Sequence, residues 1–459
     1  MLLNKNIFFK TSIICLIFIS FFLGYFLREN AVGGGKEFYL ISWPIIQSFR
    51  EDFLFTIQNY TTLDLGGPAD YQLPFSHMIN AYLNPFSDNI VHFQLSTTII
   101  SFTIFFIFAF TLKKAFLNIN IFDILLTSSV ILLLPFFRTS AFWGKNENYG
   151  WLFFMLALYF FFEIKKNITK VPENKDLLNV VLFCFISACA LYARQSLVFL
   201  PISYLLYLFV NKADKKIIIT SIISFTVFSI PGLILIFVWG DIYGYGTKTL
   251  TPALLYGDGD WLLPKNILKS FPIILSFFGF YLLPILVIEF FNSATRDFFN
   301  KYYKSFVFAL IIFIFLWQVN LLDYLGNYIQ AGGAILKLNY LIQKNNFLLL
   351  LIFSSLGFSI LIRFIKEDTK NNIIMILPII IIYGFRNANI QFQEYYEPLV
   401  LITFFLALKT DLHKIYFKNI SLSHVIFLSY FTIYLIGSIY FKHFAFDSYE
   451  KWKIFLSTQ

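Results

Sequence analysis

The chain of 459 residues is 58% hydrophobic and 13% charged, and its formal net charge is +9. Soluble domains are about 45–50% apolar and roughly 25% charged, so these values exclude an ordinary soluble protein and indicate a polytopic membrane protein. The positive charge does not indicate nucleic-acid binding, because the basic residues are scattered through short loops rather than gathered in one patch.

Apolar stretches recur along the whole chain at the length that a helix needs to cross a bilayer, about 20 residues. The first follows a basic N-terminus and resembles a signal peptide, but no A-x-A site follows, so we expect a retained first helix. We predict an all-α bundle of about 13 spans, forming a single transmembrane domain over residues 1–459. The predicted spans are 7–27, 90–111, 120–137, 149–164, 177–192, 196–211, 217–239, 267–291, 304–320, 346–362, 372–385, 395–408 and 420–441.

Basic clusters occupy every second connection between these spans. Because positive charge favours the cytoplasmic side, this alternation predicts a cytoplasmic N-terminus and an external location for the remaining connections. The clusters contain Lys113 and Lys114; Lys165, Lys166, Lys170 and Lys175; Lys212, Lys215 and Lys216; Arg296, Lys301 and Lys304; Arg363, Lys366 and Lys370; and Lys409, Lys414 and Lys418.

Two of the predicted external segments are long. The first, residues 28–89, contains SWPIIQSF and PFSHMINAYL, whose patterns predict short amphipathic helices at the membrane interface. The second, residues 240–264, is rich in Gly, Tyr and Asp and is typical of a loop.

The first external segment is rich in carboxylates. Glu37 follows three glycines that allow a sharp backbone turn, and Asp64 and Asp70 flank a Gly-Gly-Pro turn. A carboxylate beside an apolar surface can act as a general base, although each of these acids could equally be a solvated loop residue or a helix cap.

Charged residues also lie between later spans. Arg138, Lys145 and Glu147 fall in FRTSAFWGKNENYG, where they could bind substrate or form ordinary surface ion pairs. Arg194 is the only charge between residues 177 and 210. Splitting that run at Ala193 gives two helices of about 24 Å each and places Arg194 and Gln195 at the tip of an external hairpin. There Arg194 could snorkel to the interface, or Arg194 and Gln195 together could clamp a lipid phosphate.

The densest late polar cluster is GFRNANIQFQEYYEPLV, which contains Arg386 and Glu394. Amides and acids interleaved with aromatic residues suit the hydroxyls and faces of sugars, although a polar turn beside an aromatic belt has the same composition. The three cysteines lie in apolar spans, and no two of the five histidines have metal-ligand spacing. We therefore expect no metal and no cofactor.

The span layout, the acidic first external segment and the external arginines together resemble the GT-C superfamily of integral-membrane glycosyltransferases, which use polyprenyl-phosphate sugars. The stretch ARQSLVFL is similar to the Arg-Gln-Thr-Asn-Ile-type motif of the dolichyl-phosphate-glucose alpha-1,2-glucosyltransferase family, and KEFYL falls where that family has an Asp-Glu pair. Lys36 replaces the Asp, and Ser196 and Leu197 replace Thr-Asn. Glu37 alone matches the acidic pair, so the identity of the base stays open.

The resemblance implies an inverting, metal-independent hexosyl transfer on the external face. A carboxylate, Glu37 first and Asp64 or Asp70 next, would deprotonate a glycan, lipid or protein acceptor. Arg194, with Arg138 or Lys145, would neutralise the lipid-phosphate leaving group. The alternatives are an O-antigen polymerase or ligase, which usually carries its large external loop in the later half, and a lipid or polysaccharide transporter, which should show repeats and mid-span charges.

Overall fold

The computed structural model describes residues 2–30, 34–60, 73–239, 264–318, 333–335, 337–338, 348–384 and 392–444. The regular structure in these ranges is helical throughout, which confirms the predicted all-α class. The chain divides into two compact units, an N-terminal unit Met1–Leu250 and a C-terminal unit Thr251–Gln459.

The N-terminal unit contains twelve α-helices in its described residues. They are α1 (Leu2–Phe26), α2 (Gly34–Glu37), α3 (Trp43–Glu51), α4 (Phe53–Asn59), α5 (Phe75–Tyr82), α6 (Ile90–Ala115), α7 (Ile121–Ser128), α8 (Pro135–Phe142), α9 (Asn146–Asn167), α10 (Asn174–Ala193), α11 (Phe199–Val210) and α12 (Lys215–Trp239). A π-helical turn (Phe38–Ser42) precedes α3, and 3₁₀ turns precede α8 (Ser129–Leu133) and α11 (Gln195–Val198).

The C-terminal unit contains seven α-helices in the ranges given above. They are α13 (Pro264–Asn292), α14 (Thr295–Gln318), α15 (Leu348–Glu367), α16 (Thr369–Gly384), α17 (Leu399–Ile402), α18 (Leu412–Lys418) and α19 (Ile420–His443). A 3₁₀ turn (Gln393–Tyr395) precedes α17, and a π-helical turn (Thr403–Ala407) follows it.

Eight of the described helices are long and apolar enough to cross a membrane, which supports a multi-pass membrane protein. The count of about 13 is not confirmed. The predicted span 120–137 is not a straight helix: it breaks at Leu134 and Pro135, and the helical segments on either side, which together are apolar and long enough to cross a membrane, are bent by 72°. Proline lacks a backbone N–H and disfavours a helical residue before it, and Leu134 is accordingly extended. The predicted span 395–408 is divided among the end of a 3₁₀ turn, the short helix α17 and a π-helical turn.

The two short helices expected in the first external segment are present as α3 and α5. Helix α3 buries apolar side chains, including Ile46 and Phe49. Helix α5 instead buries Ser76, His77 and Asn80, so its inner face is polar.

Contacts within the N-terminal unit bring predicted cytoplasmic regions together. The Lys10 ammonium lies 2.5 Å from the Asp123 carboxylate, joining the start of α1 to the start of α7. Lys114 pairs with Glu163, joining the end of α6 to the end of α9. Each pair therefore joins two helix ends that the charge alternation predicts to lie on the same side of the membrane.

A buried charge network joins predicted cytoplasmic regions in the C-terminal unit. Glu289 of α13 is fully buried, and Arg363 of α15 donates to its carboxylate. The ammonium of Lys301 lies 3.0 Å from Glu289, and the Tyr302 hydroxyl donates to it at 2.6 Å. Arg363 also pairs with Glu367 at 2.8 Å. The carboxylates and cations balance, so the buried charge is neutralised within the network.

Helices α13 and α15 cross at a pair of glycines. A Cβ on Gly279 would overlap the carbonyl oxygen of Phe353, and a Cβ on Gly357 would overlap that of Leu275. Membrane helices gain much of their association energy from such close backbone packing, because lipid is as apolar as their side chains.

Gly279→Leu is expected to destabilise the protein by about 3 kcal/mol or more, since any side chain there forces the two backbones apart. Gly437→Leu on α19 is the matched control, because nothing lies within 4 Å of a Cβ at that position. Thermal unfolding in detergent, followed by fluorescence-detected gel filtration, compares the two. Equal melting temperatures for both variants would contradict the importance of the crossing.

Candidate functional site

Gly144 sets the direction in which the chain enters α9. Its φ of +59° lies in the left-handed region, which favours glycine, and a Cβ there would lie 2.6 Å from the ring of Phe93. The turn makes Lys145 the residue that precedes α9 and places Glu147 in its first turn. An acidic side chain is favourable there, because the helix dipole is positive at that end.

Lys145 brings three of the predicted residues together. Its Nζ lies 2.8 Å from Oε2 of Glu37 and 3.9 Å from Oε1 of Glu147. The Lys145 and Glu147 side chains are 5% and 3% exposed, whereas that of Glu37 is 44% exposed. Glu37 is thus the accessible end of a charged cluster that extends into the protein.

Of the three glycines before Glu37, Gly33 lies outside the described residues, and the other two lie in a helix rather than in a sharp turn. Gly34 and Gly35 are helical and form the start of α2. A Cβ on Gly34 would lie 2.8 Å from a methyl group of Thr139 and 3.2 Å from the Lys145 side chain. These glycines therefore allow α2 to pack close to Lys145, and Glu37 at the end of α2 can then pair with the lysine.

Arg138 is engaged deep inside the N-terminal unit. Its Nε and Nη2 donate to the carboxylate of Glu29 at 2.9 and 2.6 Å, and Nη1 donates to the Leu132 carbonyl at 3.2 Å. Gly24 makes room for this pair, because a Cβ there would overlap both Arg138 and Glu29. Arg138 thus fastens α8 to the end of α1, and Glu29 is a partner that sequence reasoning missed.

Arg194 lies where α10 ends, as the sequence predicted. Helix α10 stops at Ala193, and Arg194 is extended, with φ −153° and ψ 102°. Arg194 is only 3% exposed, however, so the residue at this helix end is buried against its neighbours. The guanidinium carbon lies 4.7 Å from the centre of the Trp151 ring, and Gly150 leaves room for the Arg194 side chain. Arg194 therefore packs against α9, one turn after Glu147.

The other predicted residues are placed as follows. Gln195 begins the 3₁₀ turn before α11 and is half-buried. Glu394 is half-buried in the 3₁₀ turn before α17, in the C-terminal unit. Asp64, Asp70 and Arg386 lie outside the described residues.

The buried polar contacts next to Glu394 involve its neighbours. The hydroxyls of Tyr281 and Tyr434 donate to Oε2 of Glu397 at 2.7 and 2.8 Å. Nε2 of Gln393 donates to both hydroxyls, at 2.7 and 3.0 Å. This closed network attaches the turn to α13 and α19. The two tyrosines were missed because they lie in long apolar stretches where nothing distinguishes them from other aromatic residues.

A buried histidine, also missed, adjoins the Lys145 cluster. Nδ1 of His77 lies 3.0 Å from the Tyr60 hydroxyl, and Nε2 lies 3.5 Å from the Asn146 amide. Burial lowers the His77 pKa to about 3, although the negative charge of Glu147 acts in the opposite direction. His77 and Asn80 are three residues apart and therefore lie on one face of α5. This spacing was the sequence signal that could have identified His77.

Comparisons of the chain with protein-family models, with curated proteins and with solved structures found no match.

Gly24→Ala should destabilise the protein by about 3–5 kcal/mol, because the added methyl group separates Arg138 from Glu29 and leaves buried charges without compensation. Gly437→Ala provides the control. Thermal unfolding in detergent measures both. A Gly24→Ala protein as stable as the control would show that the pair is not needed.

His77 should make stability depend on pH. The unfolded chain binds a proton with a pKa near 6.5, whereas folded His77 does so only at about 3, so its contribution is complete above pH 6.5 and is lost progressively as the pH falls toward 3. Thermal unfolding between pH 8 and 4.5 should therefore show a shallower pH dependence for His77→Gln than for the wild type. Parallel curves would contradict this assignment.

Proposed function

We propose that this protein is a membrane glycosyltransferase, which transfers a sugar from a polyprenyl-phosphate donor to a glycan, lipid or protein acceptor on the external face. The observation that carries the proposal is the position of Lys145 between Glu37 and Glu147 at the start of α9. The cluster combines an accessible carboxylate with a cation that is mostly shielded from water. These are the two groups that a displacement with an anionic leaving group requires.

A phosphate group would find favourable electrostatics at this end of α9. The helix dipole presents partial positive charge to an anion, and the Lys145 ammonium lies just before the first turn. Arg194 packs against the same helix beside Gly150 and Trp151. We leave Arg138 out of the phosphate site, because its carboxylate partner Glu29 is buried, whereas Lys145 pairs with Glu37, which is partly exposed.

The proposed step is a single displacement. The acceptor oxygen attacks the anomeric carbon while Glu37 takes the proton of the acceptor hydroxyl. The bond between the anomeric carbon and the phosphate oxygen breaks, and the configuration at that carbon inverts. The polyprenyl phosphate leaves with the bonding electrons, and Lys145 and Arg194 neutralise its negative charge. Asp64 and Asp70 remain the alternative bases.

The grouping of helix ends supports the proposed orientation. In the N-terminal unit, regions predicted to be cytoplasmic are joined by the ion pairs of Lys10 and Lys114. Lys10 lies toward the start of α1, whereas Glu29 follows the end of that helix. Lys114 lies at the end of α6, whereas Asn89 precedes its start. Glu37, Lys145 and Arg194 belong to connections that alternate with these basic ones. We accordingly propose that the N-terminus is cytoplasmic and that the candidate site faces outward.

Variants of the three proposed residues should separate binding from chemistry. Lys145→Met and Arg194→Met should each weaken binding of undecaprenyl phosphate in nanodiscs about tenfold or more, because each removes a positive charge from the phosphate site. Glu37→Gln should retain binding but lower sugar transfer by about 10²–10⁴-fold, because the amide cannot accept the proton. The measurements are binding of the lipid and transfer from a panel of undecaprenyl-phosphate hexoses.

Arg50→Met is the matched control, because Arg50 pairs with Asp88 on the exposed surface of the same external segment. It should change neither binding nor transfer. Undecaprenol, which lacks the phosphate, should bind the wild type at least about tenfold more weakly than undecaprenyl phosphate. Equal affinity for the two lipids, or unchanged transfer in all three variants, would refute the proposed function.

A further inference from the structure

Helix α5 contacts the first turn of α9 through two buried side chains that the proposed chemistry does not use. Nε2 of His77 lies 3.5 Å from Nδ2 of Asn146, and the Tyr149 hydroxyl donates to Oδ1 of Asn80. His77 and Asn80 are three residues apart, so they share one face of α5. Because all four side chains are buried, they contribute to packing rather than to a surface that could bind a ligand directly.

The imidazole of His77 is held on both sides. If the Asn146 amide donates to Nε2, the ring proton is on Nδ1, from which it is donated to the Tyr60 hydroxyl at 3.0 Å. A protonated ring would instead turn a second N–H toward the Asn146 donor. It would also put positive charge near the start of α9, where the helix dipole disfavours it. The geometry therefore suits an uncharged ring.

Asn146 stands between the two residues of the site on α9. Lys145 immediately precedes it and Glu147 immediately follows it, so a shift of Asn146 moves both. Helix α5 is itself attached to α3 and to the segment after it. The Tyr82 hydroxyl donates to the Phe49 carbonyl, and the Ser87 hydroxyl donates to the Asn80 carbonyl. The contact thus joins the first external segment to the start of α9.

We propose that His77 is a positioning residue, which fixes the first turn of α9, and with it Lys145 and Glu147, by holding Asn146 against α5. The role of Lys145 and Glu147 in binding a phosphate rests on the proposed function, whereas the positioning of these residues by His77 does not. His77 has no direct role with the substrate, because it is fully buried. Its contribution is to keep Lys145 in the position from which it can meet a phosphate.

Hydrogen exchange tests the positioning without any assumption about the reaction. In His77→Phe, the backbone amides of residues 145–150 should exchange about tenfold faster, while those elsewhere in α9 change little. His77→Gln should restore slow exchange, because its side-chain carbonyl can accept from the Asn146 amide. His92→Phe is the matched control, because His92 is exposed at the start of α6. Asn146→Ala, which removes the contact from the other side, should behave as His77→Phe does.

Binding of undecaprenyl phosphate in nanodiscs gives the second readout. His77→Phe should weaken it about tenfold and His77→Gln much less, and His77→Phe should have little further effect in a Lys145→Met background. Unchanged exchange at residues 145–150 in both His77→Phe and Asn146→Ala would overturn the inference. If the wild type does not bind the phosphate lipid, the proposed function fails, and the exchange result alone then decides whether His77 positions α9.

Discussion

A buried ion pair between a carboxylate and a guanidinium ties helix ends together in each of the two units. Glu29 and Arg138 join α1 to α8, and Glu289 and Arg363 join α13 to α15. Helices surrounded by lipid gain little from burying apolar side chains against one another, so polar contacts and close backbone packing have to specify which helices meet. Such a pair is costly to break, because loss of one partner leaves a buried charge without compensation.

The candidate site depends on this attachment. Helix α8 is fastened to α1 by Arg138, and the chain then turns at Gly144 to begin α9 with Lys145 and Glu147. The indole nitrogen of Trp143 donates to the Glu29 carbonyl at 3.0 Å, which secures the turn from the same side. The charged residues that could act on a substrate therefore lie next to the charged residues that stabilise the fold. The two sets differ in solvent exposure: Glu37 is partly exposed, whereas Glu29 is buried.

Hydropathy predicted helices better than it predicted spans. Each predicted span overlaps helical structure in the described residues, and the break at Ala193 is where a length argument placed it. The segment 120–137 is as apolar as its neighbours, yet it bends at Leu134 and Pro135. An average over a window of residues reports only how apolar a segment is. The average does not show whether a proline within the segment begins a new helix. Whether the chain can bend at such a proline depends on the helices that pack around it.

The sequence by itself determined the membrane class, the helical fold, the alternation of basic connections and the concentration of carboxylates near Glu37, since each follows from composition or local periodicity. Only the tertiary structure decided which charges meet. Lys145 pairs with Glu37 from a distant helix, Arg138 is engaged by Glu29, and Arg194 is buried on Trp151. Such partners are far apart in the chain, and an isolated charge has the same local pattern whether it stabilises a fold or acts on a substrate. His77 shows the same limit, because its role depends on Asn146, which reaches it only when α5 and α9 pack together.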